Sequence, residues 1–432
     1  MKKLTAALLF CCCITSIANA QAVLKNGRPE SAGFSTERLQ RIDHFINGYV
    51  KNNQINGAVA MVVHNGTIVY HKAFGNSIIA TNTPMKTDNI FRIASMSKPV
   101  VSVAAMILFE EGKFLLDDPI SKFIPSFKNA RVLESFNAAD TTYTTVPAKR
   151  EITIRHLLNH TSGIGYAQIG DAKANAIYYK NKINGGIGTP HSSLKEMITR
   201  LGTLPLFAQP GETFLYGLNT DVLGYVVEVA AGMPLDQFME QRIFKPLGMK
   251  DSYFFLPKEK QNRLVPLYKQ AGTKLTLQDS IISLNGTFWR DFPNTPGGSY
   301  FSGGAGLSAT AYDYAVFGQM LLNGGSYNGV QILAPSTIKL MTTNQIGTIP
   351  MWGNAELTTR FGLGFGLYTE KSSTSTPVNA GSYDWAGMFA SHFWVDPKAK
   401  IVAVFMRNVW PTENWDFGDR IKPVVYQALI EQ

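Results

Sequence analysis

The sequence is poor in cysteine, with three cysteines among 432 residues, all at positions 11–13. They lie in an apolar stretch, residues 4–18, which is shorter than the roughly 20 residues that a membrane-spanning helix needs. The stretch ends at residues 18–20 in the small-residue pattern after which signal peptidase cuts. We therefore predict a cleaved signal peptide over residues 1–20, export to the periplasm or the medium, and a mature chain without disulfides. A lipoprotein is the weaker alternative, because bulky Phe10 stands where a small residue is expected before an acylated cysteine.

A dense run of lysine or arginine is also missing. The formal net charge is +9, and loss of Lys2 and Lys3 with the leader, which contains no acid, lowers it to +7. A scattered positive charge of this size fits a soluble exported protein and gives no support to nucleic-acid binding. The roughly 410 residues of the mature chain can bury a large core, which predicts two subdomains or one domain with a large insertion.

Several common catalytic signatures are absent. No Gly-x-Ser-x-Gly occurs, which excludes the nucleophile elbow of α/β-hydrolases. Glycine-rich residues 303–306 lack the Lys-Ser/Thr of a phosphate loop and predict a tight turn instead. His156 and His160 are four residues apart, a spacing that can hold zinc, but the run lacks the glutamate of His-Glu-x-x-His and an evident third ligand. We predict that both histidines are structural and that the protein uses no metal or cofactor.

A Ser-x-x-Lys pair is present at Ser95 and Lys98. A serine hydroxyl becomes a useful nucleophile when a neighbouring base takes its proton, and residues three apart on a helix share a face. Pro99 is tolerated only in the first turn of a helix, which predicts a helix from about Ser95 to Glu111 that Gly112 ends. The helix dipole then favours negative charge near Ser95. On its own, the pair is a weak signal, and a capped helix carrying a surface lysine is the favoured interpretation.

Hydrophobic periodicity predicts strands near both ends of the chain and helices between them. Asn65-Gly66 suits a type I′ turn between the first two strands. From about 130 to 300, short helical patterns alternate with Gly- and Pro-containing segments, which predicts an inserted, mainly helical region. Residues 422–430 predict a final helix with Pro423 in its first turn. The predicted strands are residues 58–63, 67–73, 365–368, 392–395 and 401–406.

Three stretches resemble the serine β-lactamase and penicillin-binding-protein superfamily, in the order that the family has them. The resemblance spans most of the chain from about residue 30 to 430. It implies an α/β fold of the β-lactamase/transpeptidase type, in which an antiparallel sheet from both chain ends is flanked by helices. Residues 21–432 would then form one domain, with the inserted region at about 130–300, and Ser95 would carry the acyl group. The matching stretches are residues 91–99, 117–125 and 152–163.

The second motif of the superfamily supplies a tyrosine that shares proton transfer with the lysine. Residues 211–224 match its surroundings, which assigns that role to Tyr216. The lactamase pattern is Tyr-x-Asn, but here Leu218 takes the third place and Asn219 follows one residue later. Asn219 is therefore a candidate for binding the substrate, although it is out of register with the amide of the lactamases.

The third motif, Lys-Thr-Gly in lactamases, corresponds to Trp385-Ala386-Gly387. The resemblance implies that the N–H groups of Ser95 and Met388 form the oxyanion hole, and that Ala386 and Gly387 let the substrate approach the strand. The lactamase lysine helps to hold a substrate carboxylate, whereas Trp385 offers an apolar wall. Trp-x-Gly is also the pattern of the family VIII carboxylesterases, which the chain resembles most.

These residues together predict a carboxylesterase that acts on small or medium esters through an acyl-enzyme on Ser95. Its partner would be a small-molecule ester or amide, with no integral membrane span. The alternatives are a β-lactamase, a D-alanyl carboxypeptidase or aminopeptidase acting on peptidoglycan, or an acyltransferase. A non-catalytic penicillin-sensing protein is disfavoured, because Ser95, Lys98 and Tyr216 occur together.

Overall fold

The computed structural model describes residues 23–189, 191–283, 287–353 and 358–430. The predicted signal peptide, residues 1–20, lies outside the described residues. Among the residues that are described, nine strands form one large sheet. They are β1 Lys25–Asn26, β2 Gly57–His64, β3 Thr67–Ile78, β4 Thr83–Pro84, β5 Thr359–Phe361, β6 Gly366–Tyr368, β7 Tyr383–Ala386, β8 His392–Asp396 and β9 Ile401–Met406.

The large sheet combines the two ends of the chain. Its strand order is β1-β3-β2-β9-β8-β7-β6-β5, and β4 also pairs with β3. All of these pairs are antiparallel except β1 with β3. At the centre, Met61 of β2 lies opposite Val404 of β9. The prediction of an antiparallel sheet built from both chain ends is therefore confirmed.

The turn between β2 and β3 follows from two residues. Asn65 and Gly66 have φ values of 47° and 79°, the positive values that both central residues of a type I′ turn require. Asparagine and glycine tolerate this left-handed region better than other residues do. The turn thereby sets the start of a hairpin in which Thr67 lies opposite His64.

Helices cover both faces of the sheet, and the described residues include a π-helical segment, Glu240–Phe244, between α7 and α8. The α-helices are α1 Thr36–Lys51, α2 Ser97–Glu110, α3 Ile154–Leu158, α4 Ala172–Lys180, α5 Leu194–Leu201, α6 Asn219–Ala231, α7 Leu235–Met239, α8 Lys245–Leu247, α9 Ala311–Leu322, α10 Pro335–Met341 and α11 Phe417–Tyr426. In the part of the chain that the structure describes, none of them has the length and apolarity needed to cross a bilayer.

Side-chain alternation along β2 separates two hydrophobic layers. Ala60 and Val62 pack in one cluster with residues of α1 and α11, whereas Met61 and Val63 pack in a larger cluster with residues of α2, α6 and α9. On the second face α9 lies very close to the sheet, because a Cβ at Gly318 would lie 2.6 Å from the Val402 side chain. The Ser-x-x-Lys segment belongs to this second, helix-rich face.

Short two-stranded sheets complete the fold. The predicted inserted region, about 130–300, holds α3 to α8 together with several of these hairpins. The pairs are Phe91–Arg92 with Ser308–Ala309, Arg131–Phe136 with Tyr143–Pro147, Tyr268–Ala271 with Lys274–Leu277, Ile281–Ser283 with Thr287–Trp289, and Ser326–Tyr327 with Val330–Gln331.

The last helix differs from its prediction. It begins at Phe417 rather than near residue 422, so Pro423 lies in its interior and not in its first turn. Proline removes one backbone hydrogen bond there. The helix continues because Phe417, Ile421 and Val425 form a buried stripe against the sheet. Tertiary packing has therefore outweighed the local preference that the proline expresses.

Candidate active site

Ser95 lies in a tight 3₁₀ turn, Ala94–Met96, that leads into α2. The helix therefore begins at Ser97, two residues later than predicted. Ala94 has a φ of 44°, a left-handed value that residues with a Cβ rarely adopt. The residue directly after β7 holds this turn from the side, because a Cβ at Gly387 would lie 2.3 Å from the carbonyl oxygen of Ile93. Such strain at a nucleophile persists where the surrounding contacts enforce it.

Lys98 is buried behind Ser95 and is 1% exposed. Its Nζ donates to Ser95 Oγ at 3.2 Å, to the Tyr166 hydroxyl at 2.9 Å and to the Gly304 carbonyl at 2.8 Å. The predicted contact between Ser95 and Lys98 is thus present. An ammonium has three donors, and these partners account for all three.

Two phenols flank the lysine. The Tyr216 ring centroid lies 4.6 Å from Lys98 Nζ, which places the nitrogen over the ring face, while Tyr166 takes the hydrogen bond. The Tyr166 and Tyr216 rings are 5.5 Å apart. Burial raises the pKa of Tyr166 well above its usual value, and the neighbouring Tyr216 raises it further. Tyr216 therefore lies next to Lys98, as predicted, and a second tyrosine, Tyr166, contacts the same lysine.

Tyr166 is a site residue that the sequence reasoning missed. It reaches the site because the chain at 164–165 passes directly against the Tyr216 segment. A Cβ at Gly217 would lie 2.0 Å from the Ile164 carbonyl oxygen, so glycine is required at this approach. The glycines at 163, 165 and 217 were a sequence signal for a close approach of two chain segments, but they did not identify Tyr166 as a site residue.

Asp221 is the second missed residue. Its side chain is buried on α6, and its Oδ1 accepts a hydrogen bond from Ser302 Oγ at 2.6 Å. A Cβ at Gly304 would lie 2.4 Å from Asp221 Oδ2 and 3.6 Å from Lys98 Nζ, so both groups converge on Gly304. Burial raises the pKa of Asp221, against the opposing effects of Ser302 and Lys98. An acid within the apolar run of α6 was a sequence signal for this site.

Asn219 does not line the substrate cavity, which corrects its prediction as a substrate-binding residue. It is fully buried, and its Nδ2 is bonded to His160 Nδ1 at 3.0 Å and to the Leu215 carbonyl at 3.2 Å. Its Oδ1 accepts from Ser162 Oγ. The one-residue register change turns this amide inward, where it fixes the loop beneath Tyr216.

The two histidines have separate structural positions. His156 accepts a hydrogen bond from the Thr153 N–H at 3.2 Å and completes a capping box at the start of α3. His160 packs its ring 4.7 Å from the Tyr216 ring. Within the described ranges, no group of three or more His, Cys, Asp or Glu residues is placed to hold a metal ion.

A cavity of about 530 Å³ lies over Ser95. The predicted residues Trp385, Ala386, Gly387 and Met388 all line it. Among the described lining residues, Asp384 is the one with a charged side chain, and it accepts from the Tyr368 hydroxyl at 2.8 Å. The other lining residues are Ala94, Ser95, Tyr166, Gln168, Ile169, Gly185, Ile187, Tyr216, Ala305, Trp352, Trp410 and Trp415.

The turn after β7 is held by backbone hydrogen bonds on either side of Met388. The Gly387 N–H bonds to the Ser391 carbonyl at 2.8 Å, and the Ala390 N–H bonds to the Gly387 carbonyl at 2.9 Å. Within the described residues, no backbone bond of this turn uses the Met388 N–H. The pairing of Met388 with the Ser95 N–H as an oxyanion hole stays a prediction.

Comparison with known proteins agrees with this geometry. The model of the Beta-lactamase family matches residues 42–422. Esterase EstB of Burkholderia gladioli is 30% identical over 380 residues, which cover 85% of this chain and 90% of EstB. The Escherichia coli protein named "Putative D-alanyl-D-alanine carboxypeptidase" is 30% identical over 437 residues, 93% of this chain and 89% of that protein.

A solved structure extends the comparison. EstCE1, described as a hydrolase with promiscuous acyltransferase activity, superimposes with a TM-score of 0.77 at 27% identity. The match covers 90% of this chain and 99% of EstCE1. With a family match over most of its length and the Ser95–Lys98 pair in place, the chain belongs to the Beta-lactamase family and is a serine hydrolase of that fold.

Proposed function

We propose that the protein is a carboxylesterase that hydrolyses uncharged, apolar esters through an acyl-enzyme on Ser95. The observation that carries this proposal is the cavity wall, in which Trp385 stands at the position of the lactamase lysine. No lysine or arginine is among the described residues that line the cavity. A substrate carboxylate would therefore lose its hydration without gaining a cationic partner, which is unfavourable.

Acylation would begin with transfer of the Ser95 proton toward Lys98 Nζ, 3.2 Å away. For the nitrogen to accept that proton, Lys98 must first have lost one to solvent, so that the neutral amine faces Ser95 while it still donates to the Tyr166 oxygen at 2.9 Å and to the Gly304 carbonyl at 2.8 Å. The Ser95 oxygen then bonds to the ester carbonyl carbon, and the carbonyl electron pair moves to its oxygen. The N–H groups of Ser95 and Met388 are the proposed donors to that oxyanion.

Collapse of the tetrahedral intermediate breaks the bond between the carbonyl carbon and the alcohol oxygen. That oxygen leaves with a proton from the Lys98, Tyr166 and Tyr216 group, and the acyl group stays on Ser95. A water molecule repeats the sequence, giving its proton to the same group and its hydroxyl to the carbonyl carbon. The acid and free Ser95 are the products, so atoms and charges balance without a cofactor.

Acyl transfer is the second candidate function. The cavity is walled mainly by aromatic and small apolar side chains, a setting in which an apolar alcohol can compete with water for the acyl-enzyme. EstCE1, which shares the fold and 27% of its residues with this chain, is described as having acyltransferase activity. An added alcohol acceptor, with product analysis, distinguishes an acyltransferase from a hydrolase.

The central experiment uses the protein from residue 21 onward. It should hydrolyse p-nitrophenyl acetate and butyrate, and Ser95→Ala should abolish turnover while leaving the thermal unfolding temperature close to that of the wild type. Nitrocefin and a D-alanyl-D-alanine peptide, tested in parallel, should be poor substrates. Faster turnover of either than of the esters would replace the esterase proposal with a β-lactamase or peptidase.

We also propose that the chain is exported and cleaved after Ala20. Mass spectrometry of protein recovered from the periplasm or medium should give an N-terminus at Gln21. Retention of residues 1–20 in the recovered protein would contradict this proposal.

A further inference from the structure

Trp352 has an unusual backbone conformation. Its φ and ψ are 56° and 28°, in the left-handed region, where a bulky residue is rare and strained. Its side chain is nevertheless 60% exposed, although tryptophan gains much from burial. The preceding residue, Met351, is buried and anchors the segment. Strain combined with exposure indicates that the position serves something other than the stability of the free protein.

The indole of Trp352 is directed to the catalytic centre. It lies 5.2 Å from the Tyr216 ring and 5.4 Å from the Phe214 ring, and it lines the cavity over Ser95. Trp385 contacts the same Tyr216 ring at 5.6 Å. Tyr216 therefore contacts two indoles, the partly buried Trp385 and the largely exposed Trp352.

We infer that Trp352 is a specificity-determining residue, whose strained backbone holds its indole beside Tyr216 to bind an aryl or bulky apolar alcohol group of the ester. This inference rests on the proposed function, in which Tyr216 belongs to the group that protonates the departing alcohol. A substituent on that alcohol must then lie next to Tyr216. The exposed indole is a surface available to stack on it, and the described residues of the wall include no lysine or arginine for a charged substituent.

The kinetic test compares two acetates, 1-naphthyl acetate and ethyl acetate. Both give the same acetyl-enzyme, so any difference in their kcat/KM arises before the alcohol leaves. Because an aromatic pair contributes about 0.5–1.5 kcal/mol beyond its buried area, Trp352→Ala should lower kcat/KM for the naphthyl ester about tenfold more than for the ethyl ester. Trp352→Phe should recover most of that loss. An equal loss for both esters would overturn the inference and leave Trp352 as a support for Tyr216.

The strain is tested by a matched pair of variants. Trp352→Gly and Trp352→Ala both remove the indole, but only glycine adopts a φ of 56° without strain. The glycine variant should therefore unfold at a higher temperature than the alanine variant, while both lose the same preference for the naphthyl ester. Trp289, another exposed tryptophan that does not line the cavity, is the control, and Trp289→Ala should keep that preference. If the glycine variant is no more stable than the alanine variant, the backbone at position 352 is not strained.

A binding measurement separates this inference from the esterase proposal. The inactive Ser95→Ala protein should bind 1-naphthol, followed by calorimetry, and Ser95→Ala/Trp352→Ala should bind it about tenfold more weakly. If the wild-type protein shows no esterase activity but 1-naphthol binding still depends on Trp352, the proposed function is refuted and the aryl site is retained. Equal naphthol binding by both proteins would refute the aryl site whatever the activity.

Discussion

His156 should make the protein sensitive to acid, and His156→Gln should remove that part of the sensitivity. His156 is the third helical residue of α3, where its Nδ1 accepts the Thr153 N–H while Thr153 Oγ1 accepts the His156 N–H. Glutamine commonly fills this position of a capping box. The variant therefore keeps the cap and loses the titrating group.

The magnitude follows from the pKa of His156. Burial, aided by Arg150, lowers the pKa from 6.5 to about 4. The folded protein thus binds fewer protons than the unfolded chain between these values, so stability is complete above pH 6.5 and falls as the pH drops toward 4. At 1.36 kcal/mol per pH unit, the loss from neutral pH to pH 4.5 is on the order of 2 to 3 kcal/mol at most from this residue.

Urea unfolding at pH 7.5 and pH 4.5 measures the effect. The variant should match the wild type within about 0.5 kcal/mol at pH 7.5, because the cap is kept, and it should be the more stable protein at pH 4.5. Equal pH dependence in wild type and His156→Gln would refute the reasoning.

Three further predictions concern the catalytic centre. Gly387→Ala places a Cβ 2.3 Å from the Ile93 oxygen and should lower kcat/KM about 100-fold or more, because it displaces the turn that holds Ser95. Gly48→Ala is the control, since its Cβ meets no atom within 4 Å. This control variant should raise the free energy of unfolding by about 0.5–1 kcal/mol and leave activity unchanged. Tyr166→Phe removes the hydroxyl that Lys98 contacts and should lower kcat about 10- to 100-fold in a p-nitrophenyl acetate assay, and it should also lower the free energy of unfolding by about 1–3 kcal/mol because a buried Lys98 donor loses its acceptor. Burial raises the pKa of Asp221, so ionisation of this acid costs stability as the pH rises. In urea unfolding, Asp221→Asn should therefore gain stability relative to the wild type between pH 4 and pH 8, while losing activity. A variant less stable than the wild type at pH 8 would contradict this prediction.

Features that depend on residues close together in the sequence could be predicted from the sequence. Asn65-Gly66 predicts the turn because the required positive φ values belong to those two residue types. Ser95 and Lys98 were predicted as a contacting pair from their helical spacing, and they are in contact although Ser95 lies in the 3₁₀ turn before α2. The start of α11 was wrong, since it depends on a buried stripe against the sheet that outweighs Pro423.

The rest of the site depends on contacts between distant parts of the chain. Tyr166 is 68 residues from Lys98, and it reaches the lysine because Gly217 lets two loops approach to backbone contact. Asn219 shows the opposite case, in which a residue one position out of register turns into the core rather than toward the cavity. Register within a loop is set by tertiary packing, so a motif match places such residues only approximately.

The tryptophan at position 385 is part of a wider arrangement and not an isolated replacement of lysine. Trp385 contacts the Phe361 ring at 5.1 Å as well as Tyr216, while its neighbour Asp384 is directed to the hydroxyl of Tyr368. A lysine at 385 would thus place an ammonium beside the Tyr216 and Phe361 rings, while the adjacent carboxylate of Asp384 is already bonded to the Tyr368 hydroxyl. The residues around position 385 are therefore arranged for an aromatic side chain. Among the described residues, the apolar wall and the absence of a lysine or arginine are one property of this cavity.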